Sequence, residues 1–352
     1  MTTKVTANCC ITDWIPPVSG VRKHVWVRRP MVGKIALIEY RPFRNSDPPR
    51  LVNLWNACEM GRGAVHGITC DILDALVFAE PYWDRHGLIV AIDEGELMGF
   101  VHAGFGPNES ESALDFTTGV ISMVMVHPRY YRQGIGRELM RRAEEYLRTK
   151  GAVRFQAGES PERNPFYLGL YGGSNSPGFL ESDPAAAPFL TKLGYEPKRR
   201  ILVYHKDIRE KNDPFDVRMV AIRRAMELIV TNQPAHATWW WMTRQGRFDS
   251  IRFILRPKQG GDPVAELSCW GLDLIAMTWQ ERAVGFTHLI VSDNERKKGY
   301  GKTVVVEAIR RLREEMVTKV ELQVEDDNEV IISLVESSKF QQADVGIIYE
   351  KL

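Results

Sequence analysis

A turn with two glycines one residue apart occurs twice in this chain, as Tyr131 to Gly136 (YRQGIG) and as Arg296 to Gly301 (RKKGYG). Each copy follows a β-rich apolar run, Val120 to Val126 (VISMVMV) or Phe286 to Val291 (FTHLIV), and precedes apolar residues at helical spacing. After the first turn these are Leu139, Met140, Ala143 and Leu147; after the second they are Val305, Ala308, Ile309, Leu312 and Met316. Each unit therefore reads as buried strand, glycine turn and amphipathic helix. Glycine lets the turn bring backbone N–H groups close to a ligand, and the helix start adds unpaired N–H groups and the positive end of its dipole. The natural guest is a phosphate. One device used twice, nearly half the chain apart, points to two copies of one fold, and 352 residues are enough for each to bury its own core.

Three phosphate-binding turns share this outline. The dinucleotide fingerprint requires a third glycine three places after the second, where Leu139 and Val304 stand. A phosphate loop closing on Gly301-Lys302-Thr303 requires its first glycine where Arg296 stands. Both fail. The remaining pattern, Arg/Gln-x-x-Gly-x-Gly/Ala, resembles motif A of the GNAT superfamily of acyl-CoA N-acyltransferases, in which consecutive amides hold the coenzyme A pyrophosphate. Arg296, Gly299 and Gly301 match it fully. In the first copy Gly134 and Gly136 match, but Tyr131 replaces Arg/Gln and Arg132 lies one place late.

A second signature of that superfamily, Asn-x-x-Ala-x-x-Leu-Tyr-x-x-x-Gly-Phe, aligns with Asp183, Ala186, Phe189, Leu190, Gly194 and Tyr195 in the first half. In the second half it aligns with Asn328, Ile331, Leu334, Val335, Lys339 and Phe340. The tyrosine that often protonates the departing thiolate in the superfamily is missing from both, its places taken by Leu190 and Val335.

The resemblance covers Ile35 to Leu352 and implies an α/β (α+β) protein of two tandem GNAT folds, each a mixed, mostly antiparallel sheet flanked by helices. The architecture is similar to that of mycothiol synthase and other two-domain members. The organisation it suggests is an extension over 1–34, a first domain over 35–205, a linker over 206–214 (KDIREKNDP) and a shortened second domain over 215–352. In the first half, Ile35 to Tyr40 reads as a strand and Leu51, Leu54, Trp55 and Cys58 mark a helix, with a second helix near Ile72 to Phe78. A hairpin over Leu88 to Ile92 and Leu97 to Ala103 comes next, and Ile201 to Tyr204 reads as the terminal strand. In the superfamily the two helices commonly wall the acceptor site. The second half opens with a helix over Val217 to Val230, then strands that include Trp239 to Trp241 and Ile251 to Leu255, with no comparable helix pair. Those tryptophans suit core or interface packing better than ligand stacking.

An insert over 158–183 interrupts the first half where acyl and acceptor sites meet in GNAT folds. Phe166, Tyr167, Tyr171 and Phe179 argue against disorder there, so it reads as an acceptor-pocket lid, the alternatives being a packing flap or an interdomain staple.

By resemblance, acetyl-CoA is the co-substrate and an amine the acceptor. The amides of Val124, Met125 and Val126 would hold the thioester carbonyl, with Leu289, Ile290 and Val291 their counterparts. Arg132, Gln133, Gly134, Ile135, Gly136 and Arg137 would cradle the pyrophosphate, as would Arg296, Lys297, Lys298, Gly299, Tyr300, Gly301 and Lys302 in the second half. An amine must lose a proton to react, for which Glu159 and Asp183 are the candidate carboxylates. Asp183 also suits a cap before Pro184. With Leu190 unable to donate, Tyr167 or Tyr171 is the candidate acid, and direct protonation of the thiolate by solvent or the ammonium product is equally compatible with the sequence.

A formal charge of +1 gives no reason to expect nucleic acid or a membrane surface as partner. No run of 18 apolar residues spans a membrane, and the N-terminus lacks the charged start and apolar core of a secretory signal. Five cysteines without a CxxC read as reduced thiols of a cytoplasmic protein, Cys9-Cys10 being the one close pair. The eight histidines show no metal-binding spacing. Two other functions stay open: an acyl-CoA sensor or scaffold without catalysis, and a protein lysine or N-terminal acetyltransferase.

Overall fold

The computed structural model describes residues 38–352 apart from 59, 215 and 236. The extension 1–34, the Cys9-Cys10 pair and the expected start of the first strand at Ile35 lie outside the described residues. The first half contains β1 (Glu39–Pro42), α1 (Pro48–Ala57), α2 (Cys70–Leu73), β2 (Leu88–Asp93), β3 (Glu96–Pro107), β4 (Leu114–Val126), α3 (Ile135–Thr149), β5 (Arg154–Ala157), β6 (Phe179–Leu180), α4 (Ala186–Lys192) and β7 (Glu196–Asp207). The second half contains α5 (Val217–Ala225), β8 (Met226–Thr231), α6 (Trp239–Arg244), β9 (Ser250–Pro257), β10 (Ala265–Gly271), α7 (Asp273–Trp279), β11 (Ala283–Val291), α8 (Tyr300–Glu314), β12 (Lys319–Glu325), α9 (Glu329–Ser337) and β13 (Gln341–Lys351).

The strands form one continuous mixed sheet in the order β1-β2-β3-β4-β5-β13-β7-β12-β11-β10-β9-β8, with β6 attached to β13. Its pairings are antiparallel except β4 with β5 and β11 with β12. The order exchanges strands between the halves. The last strand of the chain pairs with β5 of the first half, Tyr349 opposite Ala157, while β7 pairs with β12 of the second, Tyr204 opposite Leu322. The strand expected to close the first half thus runs beside the second half's sheet. The expected linker is held too: Lys206 and Asp207 belong to β7, and Asp213 forms ion pairs with Arg310 and Arg313 of α8 at 3.3 and 2.8 Å.

Both glycine turns stand where two parallel strands part. β4 pairs with β5 only from Thr118 to Ile121, and β11 pairs with β12 only from Ala283 to Phe286. Beyond those rungs β4 and β11 continue to Val126 and Val291. A wedge opens between each parallel pair.

The amphipathic stripes are buried as their spacing requires. Leu139, Met140, Ala143 and Leu147 pack α3 on the first sheet, and Val305, Ala308, Ile309 and Leu312 pack α8 on the second. Met316 departs from the pattern, because α8 ends at Glu314 and Met316 is exposed. A third core gathers α1, α2 and the insert with Trp270, Leu272 and Ile275 of the second half.

Two expected elements change type. The helix opening the second half stops at Ala225, and Met226–Thr231 forms an edge strand along β9, which its β-branched Ile229, Val230 and Thr231 suit. Trp239 to Trp241 start a helix, not a strand: the Thr238 hydroxyl accepts the Trp241 N–H at 3.1 Å and caps it. Trp240 is buried and stacks on Tyr82 of the first half at 5.1 Å. This short helix is what stands between β8 and β9, where the first half has α1 and α2.

Candidate active site

The two glycine turns share one backbone path. Arg132 and Lys297 take positive φ angles of 63° and 61°, and two residues later Gly134 and Gly299 take 85° and 94° before α3 and α8 begin. Successive backbone N–H groups in a turn of this kind form a concavity that binds anions. The glycines are needed for different reasons. Gly134 has open space where a Cβ would stand, so its φ is what demands glycine. A Cβ on Gly136 would stand 3.1 Å from the Phe189 ring, which would have to shift to admit it.

In the first half, the wedge and the turn open into a cleft of about 400 Å³. It is lined by Val124, Met125, Val126, Arg132, Gly134, Ile135, Gly136 and Arg137 of the expected cofactor set, together with Asp183 and Tyr171. Leu190 lines it as well, in the place where the superfamily pattern carries tyrosine. Gln133 is not among the lining residues; its side-chain amide donates to the Arg129 carbonyl at 3.3 Å. Arg132, Arg137 and Lys192 give this cleft cationic groups, of the sign a pyrophosphate requires.

The four candidate acid–base residues separate into two pairs. Asp183 reaches the cleft, and its Oδ1 accepts the Ala185 N–H at 2.9 Å, a local bond that leads the chain into α4. Tyr171 reaches it too, its hydroxyl oxygen accepting the Leu180 N–H at 3.1 Å. Burial raises the Tyr171 pKa, so the phenol keeps its proton at neutral pH. Glu159 and Tyr167 do not line the cleft. The buried Glu159 carboxylate accepts the N–H groups of Phe166 at 2.8 Å and Tyr167 at 3.1 Å, so its contacts fold the insert. Burial raises its pKa. The Tyr167 hydroxyl meets His102 Nδ1 at 3.1 Å inside the core. Burial of His102 lowers its pKa to about 3, so the imidazole is neutral.

Three further lining residues were not among the expected cofactor or acid–base residues. Cys58, Met60 and Phe179 come to the cleft from the end of α1, the loop after it and β6. The Cys58 thiol donates to the Val126 carbonyl at 3.5 Å, and burial pushes its pKa up to about 12, which keeps it protonated. Its apolar neighbours made it look like one more core position of α1.

The insert is not an exposed flap. Phe166, Tyr167, Leu168, Leu170 and Tyr171 belong to the third core, and Gly172 to Asn175 lie against the second half. The Ser174 N–H donates to Glu321 at 2.6 Å and its carbonyl accepts the Trp270 indole N–H at 3.0 Å. In the second turn, Arg296 and Lys298 pair with Asp293 and Glu295 at 2.7 and 3.1 Å on the surface. Among the described residues no helix is long and apolar enough to cross a membrane.

Residues 51–171 and 220–340 each match the sequence model of the acetyltransferase (GNAT) family. Solved structures give the same fold at low identity. A GCN5-related glucosamine N-acetyltransferase region of a fungal multi-domain β-N-acetylglucosaminidase superposes with a TM-score of 0.67 at 18% identity. The match covers 90% of this chain and spans 38% of that protein's length. A tandem GNAT protein from the clavulanic acid biosynthesis pathway gives 0.62 at 17% identity, covering 89% of this chain and 98% of that one. A GCN5-related N-acetyltransferase from Sphaerobacter thermophilus gives 0.58 at 15%, covering 89% and 95%. The chain belongs to the acetyltransferase (GNAT) family and carries its fold twice in tandem, which makes it an acyl-CoA-dependent acetyltransferase by family.

Proposed function

We propose that the chain transfers an acetyl group from acetyl-CoA to the amine of a small molecule, and that the first of its two domains, over 35–205, carries the reaction. The observation behind this reading is the cleft in which the β4–β5 wedge, the Tyr131–Arg137 turn, Asp183 and Tyr171 meet. Acetyl-CoA supplies the activated acyl carbon. The turn amides and Arg132 and Arg137 hold its pyrophosphate, and the backbone of Val124 to Val126 faces the carbonyl. Asp183 takes the proton that the amine loses. Tyr171, which lines the cleft and keeps its proton at neutral pH, protonates the leaving thiolate in place of the absent tyrosine at Leu190. A small acceptor suits an insert packed into the core beside the cleft.

The second domain, over 215–352, binds acyl-CoA at Arg296 to Lys302 in this reading and supplies structure, because Ser174 of the insert stands on its sheet at Gly285. The apolar residues at Leu190 and Val335 favour a second reading, an acyl-CoA sensor without turnover.

Gly136→Trp and Gly301→Trp separate these readings. With CoA release measured against a panel of amines, Gly136→Trp abolishes turnover and Gly301→Trp retains it. Turnover kept in Gly136→Trp and lost in Gly301→Trp reverses the assignment. Acetyl-CoA binding with no release for any amine favours the sensor.

A further inference from the structure

The second half has a cavity of its own, of about 90 Å³, on the sheet face beneath α6. The strand register explains its chemistry. Arg252 of β9 stands opposite Ser268 of β10, which stands opposite Thr287 of β11, while Glu266 of β10 occupies the adjacent rung on the same face. A polar row thus runs across three strands, where Leu267, Cys269 and Phe286, facing the other way, are buried in the core of α8. Trp241 and Gln245 border the space from the α6 side.

The charges on this floor are incompletely matched. Arg252 Nε lies 3.4 Å from Glu266 Oε2, but no hydrogen bond satisfies that nitrogen, which is sealed from solvent. Arg252 Nη1 makes one long bond, to the Gln233 carbonyl at 3.4 Å. The two side chains are 18% and 25% exposed, so the pair is mostly desolvated yet reachable. A ligand with a single charge would pair with one partner and leave the other uncompensated in a poorly hydrated site, which is costly. A ligand with both charges exchanges one ion pair for two. The Ser268 and Thr287 hydroxyls can meet further polar atoms, and the Trp241 indole offers an apolar or cation–π wall.

We propose that this cavity is a binding site for a small zwitterion, an α-amino acid with a short side chain, separate from the acyl-CoA cleft of the first half. Its carboxylate pairs with Arg252 and its ammonium with Glu266. The site adjoins the part of β11 that has already parted from β12.

Calorimetry and thermal melts on the full chain, without acyl-CoA, test this independently of any transferase reaction. Glycine and L-alanine are the probes; acetate and methylamine are the single-charge comparisons. The expected result is one glycine or alanine bound per chain with a raised Tm, and affinity at least about tenfold weaker for acetate and for methylamine. Glu266→Gln and Arg252→Gln should weaken glycine binding by a similar factor, and Thr287→Val, a gentler change, should weaken it with Tm in the absence of ligand preserved. Gly136→Trp should leave it unchanged. Failure of both amino acids to bind would mean that the cavity holds water only, and the proposal fails. It fails equally if acetate binds as tightly as glycine, or if binding survives in Thr287→Val and in whichever charge variants fold.

Discussion

Ser174 of the first half stands on the bare backbone of Gly285 in the second: a Cβ added to Gly285 would lie 2.2 Å from the Ser174 Cβ. The insert therefore fits the second sheet only while that strand position has no side chain. Gly285→Ala should destabilise the chain by about 1–3 kcal/mol through overpacking. Urea unfolding measures it, and an unchanged midpoint would mean that the insert yields easily.

Glu321 anchors the same contact from below. Burial on its own raises the pKa of its carboxyl, but the His205 hydrogen bond and charge, with the Ser174 and Gln323 hydrogen bonds, hold it below the ordinary value. A depressed folded-state pKa stabilises above the unfolded value, near about 4.3, and that contribution fades as pH falls through the folded value. Wild-type stability should therefore drop as pH is lowered below about 4.3, and Glu321→Gln should show a shallower drop. At neutral pH Glu321→Ala should cost about 1–3 kcal/mol for each buried donor it strands, the Ser174 N–H first among them. Denaturant curves across the acid range report both; identical pH slopes in wild type and Glu321→Gln contradict the assignment.

The outline of each half was legible in sequence because a glycine turn between a buried strand and an amphipathic helix admits few backbones. The two matching left-handed positions, Arg132 and Lys297, were not, since neither residue type marks itself as such. Nor could the strand exchange be read: β7 and β13 are ordinary strands, and nothing local says that Tyr349 will lie opposite Ala157. Trp239 to Trp241 looked like a strand because aromatic residues favour strands, until Thr238 is seen capping a helix. The insert was legible as ordered, through its aromatics, but its partners Gly285 and Glu321 lie more than a hundred residues away. Among the acid–base candidates, residue type alone could not tell Asp183 in the cleft from Glu159 behind it.

Glu159 should behave as the insert's anchor. Glu159→Ala strands the N–H groups of Phe166 and Tyr167, at about 1–3 kcal/mol for each buried donor. Melting temperature should fall while turnover of the folded fraction changes little. A full loss of turnover at unchanged stability would make Glu159 a base after all.

Tyr171→Phe removes a phenol from the cleft and leaves the ring in the core. Its rate should fall about 10²-fold or more with acetyl-CoA affinity unchanged, the scale of one general acid. The Leu180 N–H loses its acceptor, which should lower stability by about 1 kcal/mol. A wild-type rate would return Tyr171 to a purely packing role.

The most direct test of the account is a crystal structure of the full chain soaked with acetyl-CoA. The prediction is pyrophosphate on the Arg132 to Arg137 amides and the thioester carbonyl against Val124 to Val126, with Asp183 and Tyr171 facing the acetyl group. Acetyl-CoA bound only at Arg296 to Lys302, with the first cleft empty, would contradict it.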